Sequence, residues 1–462
     1  MGGQGTPINA GSPSSASASG SGSRSGPNSD SSVSPGVDPV SGEVGQWLQD
    51  ILTTTMIANR DRYNLHLSLG VLEAPPPPLR IAMNLVACHI LTRSAGPTTR
   101  PTAHDLDVLK PLLLSKVYSG IHTSLENARD LLVGAVCAPA LAAQYLLEVG
   151  RFAEAQWLAS NAIRFAVSSG IHTITRHIPT PVNTPDLVQS TSNPSLLSRN
   201  PSSSFLLPPR SPQEHRDRLM IWWLAYAADG LVEAVAGLPS ALRAEILACL
   251  GDMEAYLSGA TGIPAVFPLP EAMYESNALG PDVRSINISE LLLGGDVPDA
   301  SAGSVFAGFL KAFSFYHAAV SIDDCIHTGR SLDQNMSSNI YRSISSFVSQ
   351  MAIHNSGNHV NGNSTTSIRI LAHTATIRLY ATSMIVEEQH RRTGAASAIA
   401  QLSTMLSEEE LQAQPQLLER CCSEALQVLR SGGPASEVVG AQEVQTLYSL
   451  IEQLRQSGAA FN

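Results

Sequence analysis

The chain has 462 residues, of which 43% are hydrophobic and 15% charged, and its 28 Lys+Arg against 39 Asp+Glu leave a net charge of −11. That length suits two or three ordinary domains, or one large domain with disordered segments. Lysine occurs only at Lys110, Lys116 and Lys311 and no basic run appears, which argues against DNA binding by this chain alone, because gripping phosphates takes clustered cations.

Residues 1–43 are Ser, Gly, Pro and Asn with almost no large apolar side chain. Such a segment cannot bury enough surface to offset its ordering entropy, so a disordered tail is expected. Its Met-Gly-Gly-Gln start runs straight into Ser and Gly, without the apolar core of a signal peptide. No uninterrupted apolar run approaches the roughly 18 residues that span a bilayer. The expectation is a soluble, intracellular protein with no membrane contact.

Order is expected from "VGQWLQDILTTTMIANRDRYNLHLSLGVL", where Trp47, Leu48, Ile51, Leu52 and Ile57 fall near helical spacing. Pro75–Pro78 punctuates the chain before the apolar run "LRIAMNLVACHIL". In "LAAQYLLEVGRFAEAQWLASNAIRFAVSSGIHTI", Gly150 separates two helical runs. The second carries Phe152, Ala155, Leu158, Ala159, Ala162, Ile163 and Ala166 on one face, and Gly170 sits where a helix-ending glycine belongs. The spacing predicts a tight antiparallel helix pair.

Residues 178–212 are rich in Pro, Ser, Thr and Asn and read as a flexible insertion. "RDRLMIWWLAYAADGLVEAVAGLPSAL" follows. Leu219, Trp222, Trp223, Tyr226 and Ala227 recur at three- and four-residue steps, and Leu231, Val232 and Val235 extend the stripe. Glu214, His215, Arg216, Asp217 and Arg218 read as a solvated start, and Gly237 with Pro239 as the stop. Both tryptophans are expected in the core, since a large aromatic at helical spacing is usually a packing residue.

A polar break covers residues 354–367, and "IRILAHTATIRLYATSMIV" resumes a helix. Ser407 with Glu410 offers a capping box before "LQAQPQLLERCCSEALQVL", Gly432, Gly433 and Pro434 end that helix, and one last helix covers "VVGAQEVQTLYSLIEQLRQ". Strands nowhere alternate with helices. The predicted fold is all-α: a tail at 1–43, a large helical domain at 44–395, and C-terminal helices at 396–462.

The tryptophan stretch resembles the signature helix of the fungal-specific transcription factor domain, the middle homology region of the binuclear zinc cluster regulators. Trp222, Trp223, Asp229, Gly237, Pro239 and Ser240 stand at the positions of its aromatic pair, spaced Asp and Gly-x-Pro-Ser. The preceding hairpin is similar too, at Gly150–Arg151, at Ala162, Arg164 and Ala166, and at Gly170, Ile171 and His172. Weaker echoes are "IANRDRYNLHL", "NLVACHI", "VFPLPEAMYES" and "RILAHTATIRLY", so the likeness covers roughly residues 45–390. The resemblance implies a transcriptional regulator resident in the nucleus, with coregulators or a small-molecule effector as partners and compatible with a homodimer.

The chain departs from that family in one respect. Its cysteines, Cys88, Cys137, Cys249, Cys325, Cys421 and Cys422, form no C-x-x-C pair, none precedes Cys88, and no basic cluster accompanies them. Reduced, buried thiols are expected. The zinc-binding, DNA-reading module is expected to be missing, so zinc and DNA would enter only through a cysteine cluster outside this sequence.

No residue is nominated as catalytic, cofactor-binding or metal-ligating. Asp323 and Asp324 in "SIDDCIHTGR" resemble half of the magnesium-diphosphate motif of terpene synthases. Further carboxylates one turn on, needed to ring the metals, are replaced by Cys325, Ile326 and His327. His172 and His177 flank a loop with no ligand partner at metal spacing and read as capping or solvent-exposed. There is no G-x-S-x-G elbow and no phosphate loop, so an enzyme is not expected. A tetratricopeptide-like scaffold is the rival to a regulator. Residues 145–169 resemble one such unit, but no second copy is found at the spacing of about 34 residues that an array requires.

Overall fold

The structure, a computed structural model, describes residues 43–94, 102–124, 131–177, 206–243, 263–275, 279, 283–294, 299, 301–329, 334–357, 365–431 and 440–459. The tail expected at 1–43 and the insertion expected at 178–212 lie outside these residues, except at Glu43 and from residue 206 onward. So do Cys249 and the centre of the polar break. The chain divides into two units, Met1–Gln46 and Trp47–Asn462. The hydrophobic core lies in the second.

The fold is all-α. Among the described residues no strand forms, and one isolated antiparallel bridge joins Val266 to Asn287. The main helices are α1 (Glu43–Ala58), α2 (Leu69–Glu73), α3 (Pro77–Ser94), α4 (Ala103–Ser124), α5 (Ala138–Glu148), α6 (Phe152–Ser169) and α7 (Pro212–Ala236). Then come α8 (Glu271–Glu275), α9 (Ile288–Leu293), α10 (Val305–His327), α11 (Gln334–Gly357), α12 (Thr365–Leu379), α13 (Val386–Ser403), α14 (Glu408–Ala413), α15 (Pro415–Ser431) and α16 (Gly440–Ala459).

The α5–α6 hairpin forms as its spacing predicts. Gly150 and Gly170 both take the left-handed φ that glycine adopts without a Cβ penalty, at 75° and 81°. Ala155, Leu158, Ala159, Ala162, Ile163 and Ala166 are buried, while Phe152 faces solvent. Trp47 is likewise exposed, and Leu52 and Met56 carry the buried face of α1 instead.

Ser407 and Glu410 form the expected capping box, yet it opens only the short helix α14. Pro415, which has no N–H to donate and disfavours helix at the residue before it, starts the separate helix α15. The run expected to continue through "YATSMIV" stops at Leu379, and α13 begins at Val386 and runs through residue 395. The polar break is narrower than expected, because α11 reaches Gly357 and α12 starts at Thr365.

Helix α7 holds the core together, packing against α5 and α6 on one side and against α10 and α15 on the other. Helices α7 and α10 are each long and apolar enough to cross a membrane. Both are core helices here, with most of their residues buried in protein.

Candidate functional site

Helix α7 begins where Ser211 accepts the Glu214 N–H at 3.1 Å, with Pro212 in the first turn, and ends at Gly237 with φ 66°. Trp222 and Trp223 have no exposed surface. Trp223 stacks on Phe267 at 4.8 Å and donates its indole N–H to the Val266 carbonyl at 2.9 Å. The Trp222 indole N–H has no hydrogen-bond partner among the described residues. Tyr226 donates to Ser314 Oγ at 3.0 Å, and that hydroxyl donates onward to the Leu310 carbonyl. The aromatic pair is thus a packing element, as the sequence indicates.

The Gly-x-Pro-Ser turn is held from inside the same helix. The Asp229 carboxylate accepts the Ser240 hydroxyl at 2.5 Å and the N–H groups of Ala241 and Leu242 at 3.0 and 3.1 Å. Burial raises the Asp229 pKa, and those three donors with the nearby His317 oppose the rise. Glu233, one turn on, pairs with Arg243 at 2.8 Å, and Arg243 also pairs with Asp324 at 2.5 Å. Burial lifts Glu233 to about 7 despite Arg243, and lowers His317 to about 4 against the pull of Asp229. The His317 Nδ1 lies 3.2 Å from Glu233.

Asp323 and Asp324 lie on α10 as expected, but they diverge. Asp324 turns to Arg243, and Asp323 stands 3.5 Å from His327 Nδ1. Among the described residues no group of three or more His, Cys, Asp or Glu is arranged to hold a metal. The five described cysteines form no disulfide and are buried, and burial pushes Cys88 and Cys421 up to about 12. Thiols held that high are poor nucleophiles.

His172 and His177 are not solvent-exposed; both are buried. His172 lies 5.9 Å from the Trp222 ring. His177 Nε2 is 2.6 Å from Ser285 Oγ, and its Nδ1 is 3.0 Å from the Tyr274 hydroxyl. In distance alone His177 and Ser285 match a nucleophile–base pair. The proton runs the other way, because Ser285 donates to the Phe267 carbonyl at 2.7 Å and so accepts from the imidazole. Ser285 is also closed off from solvent, at 2% exposure. The pair ties the 263–286 segment to the end of the hairpin. Sequence reading missed Ser285 and Tyr274, since nothing in their local pattern signals a partner about a hundred residues away.

One open space in this fold is a cavity of about 660 Å³ lined by six distant stretches: Arg60–His66, Arg216 and Met220, Pro268–Glu271, Gly303–Phe309, Ser367 and Ile368, and Glu409–Leu418. That volume falls within the roughly 300–1,000 Å³ of small-molecule sites. Arg216, expected to be solvated, is 93% buried, given its 7% exposure. Asp217 beside it is buried as well and accepts from the Ser68 N–H and hydroxyl, both at 2.9 Å. Glu271 bridges two cations, with Oε2 2.8 Å from Arg60 and Oε1 3.4 Å from Arg216. The His66 ring lies 4.0 Å from that of Phe306, and burial with the charge of Arg60 lowers its pKa to about 4. Glu410 accepts the Thr366 and Ser367 N–H groups at 3.1 and 3.2 Å, capping the start of α12 from across the wall.

Comparison with protein-family models, with curated proteins and with solved structures finds no match for this chain.

Proposed function

We propose that this chain is the signal-receiving regulatory domain of a transcriptional regulator of the fungal type that the tryptophan helix resembles. One observation carries the reading: the 660 Å³ cavity draws its lining from segments spread between Arg60 and Leu418. A ligand bound there touches α7, the segment before α8, α10 and α15 at once, so occupancy biases how the halves of the domain pack. A ligand shifts an equilibrium only by its differential contacts with the two states. A multi-segment cavity supplies such contacts, and the chemistry around it is binding chemistry, with no nucleophile poised. In this reading the protein acts in the nucleus on coregulators, alone or as a homodimer, and DNA contact and zinc belong to a separate module.

The test is a fusion of the full chain to a heterologous DNA-binding domain, placed over a reporter in a fungal cell. Reporter output several-fold above or below that of the DNA-binding domain alone is expected, with Met220→Trp, which fills the cavity, shifting that output. Output equal to the DNA-binding domain alone, from a fusion protein that is folded and nuclear, would overturn the reading.

A further inference from the structure

The wall of the cavity contains one buried cation whose hydrogen bonds are incomplete. Arg216 is 93% buried, given its 7% exposure, yet its Nε has no hydrogen-bond partner among the described residues. Its contact with Glu271 is at the long limit of a hydrogen bond, 3.4 Å. Buried charges are ordinarily paired and fully hydrogen-bonded, because an unmet donor keeps its desolvation cost. The guanidinium lies over the Tyr274 ring at 4.7 Å, which fixes its plane. Glu271 gives its close contact to Arg60 and leaves Arg216 with the remainder. Its side chain is 39% exposed, on a helix of five residues. One protein carboxylate is thus shared between two arginines.

Resting on the reading of this cavity as an effector site, we propose that it binds a monoanionic carboxylate with an apolar body. The ligand carboxylate takes the outer edge of Arg216, Nη1 and Nη2, where the only hydrogen bond among the described residues is the long one to Glu271, and the planar fork matches a carboxylate through two parallel bonds. The body lies on Met220, one turn along α7 from Arg216, and on Phe306, Phe309 and Leu417, which line the same space. Asp61 and Glu409 also line it and are exposed. Their charge repels a phosphate dianion more than a carboxylate, which sets the class as a single negative charge. A cationic head group is repelled by Arg216.

Calorimetric titration of the full chain with decanoate, decanol and decylamine, each below its micellar concentration, tests this. Decanoate is expected to bind about tenfold more tightly than decanol, the worth of one good charge-assisted contact, and decylamine more weakly than either. Arg216→Met, which keeps the apolar stem, removes the preference for decanoate over decanol. Glu271→Gln, which withdraws the competing carboxylate, tightens decanoate several-fold and leaves decanol unchanged. Damage to the fold weakens both ligands together, so Glu271→Gln decides the matter even if Arg216→Met fails to fold. Equal binding of decanoate and decanol, or weaker decanoate binding in Glu271→Gln, overturns the proposal. Carboxylate selectivity with a silent reporter ends the transcriptional reading alone. A responsive reporter with no carboxylate preference ends only this one.

Discussion

Asp229 and Ser240 are eleven residues apart in sequence, and their side chains meet at 2.5 Å. The carboxylate that receives the Ser240 hydroxyl also receives the next two backbone N–H groups. This is helix-capping chemistry delivered from another helix. It gives the acid, the glycine and the serine of this stretch one joint role: Gly237 turns the chain back, and Asp229 catches it at Ser240.

Asp229→Ala is expected to lower unfolding free energy by about 1–3 kcal/mol, since it leaves three buried donors unmet. Ser240→Ala removes one donor and costs about 1 kcal/mol. In urea denaturation the double variant should cost less than the sum of the two, because both changes break the same contact. Additive values would mean that the two side chains do not work as a unit.

The tryptophans differ in one atom's circumstances. Trp223 donates its N–H to the Val266 carbonyl, whereas the Trp222 N–H has no hydrogen-bond partner among the described residues. Replacing either with alanine should cost about 3–5 kcal/mol. Replacing each with phenylalanine separates them: Trp223→Phe should be worse than Trp222→Phe by about 1 kcal/mol, the net worth of a buried hydrogen bond. Thermal melts of the two phenylalanine variants read the difference directly, and equal melting temperatures would refute it.

What was legible in the sequence was local. Gly170 and Gly237 mark helix ends because a left-handed residue there favours glycine, and the alanine face of α6 follows from 3.6-residue spacing. The polar residues were misjudged where their partners are remote. Arg216 and Asp217 look like a solvated helix start, but their partners are Glu271 and Ser68, the latter 149 residues away. His172 and His177 carried no signal of burial for the same reason. The cavity was invisible because no two of its six lining stretches are neighbours in the chain.

Glu148 at the end of α5 is held by Arg62 at 3.0 Å and Arg93 at 3.2 Å, with His89 Nε2 3.0 Å away. Burial alone would raise its pKa. The nearby His89 imidazole and the Arg62 and Arg93 guanidinium groups outweigh burial and hold it at about 2. A carboxyl depressed in the folded state stabilises the fold above its unfolded pKa, and that stability is lost as pH falls through the folded value. The window therefore runs from about 4.5 down to about 2. The stability at stake is on the order of 3 kcal/mol. Glu148→Gln should be less stable at neutral pH and should show a shallower loss between pH 5 and 3 in acid titrations of the unfolding midpoint. An acid profile identical to that of the unsubstituted chain would remove Glu148 from this role.

Two helical glycines give opposite expectations for one substitution. At Gly230 an added Cβ would stand 2.8 Å from His317 Nε2 and 3.0 Å from Phe313 Cδ1. Both belong to the buried centre of α10, packed against α7 with nowhere to retreat. Gly230→Ala must therefore push α7 and α10 apart or force an unfavourable rotamer, and should cost about 1–3 kcal/mol. It should also disturb the placement of His317 against Glu233, whose atoms lie 3.2 Å apart. At Gly394, exposed on α13, nothing lies within 4 Å of the new methyl group. Alanine there restricts the unfolded chain and favours the helix, so Gly394→Ala should gain about 0.5–1 kcal/mol. Chemical denaturation of the two variants should move the midpoint in opposite directions. A Gly230→Ala protein as stable as the original would mean that the α7–α10 contact is looser than the 2.8 Å spacing implies.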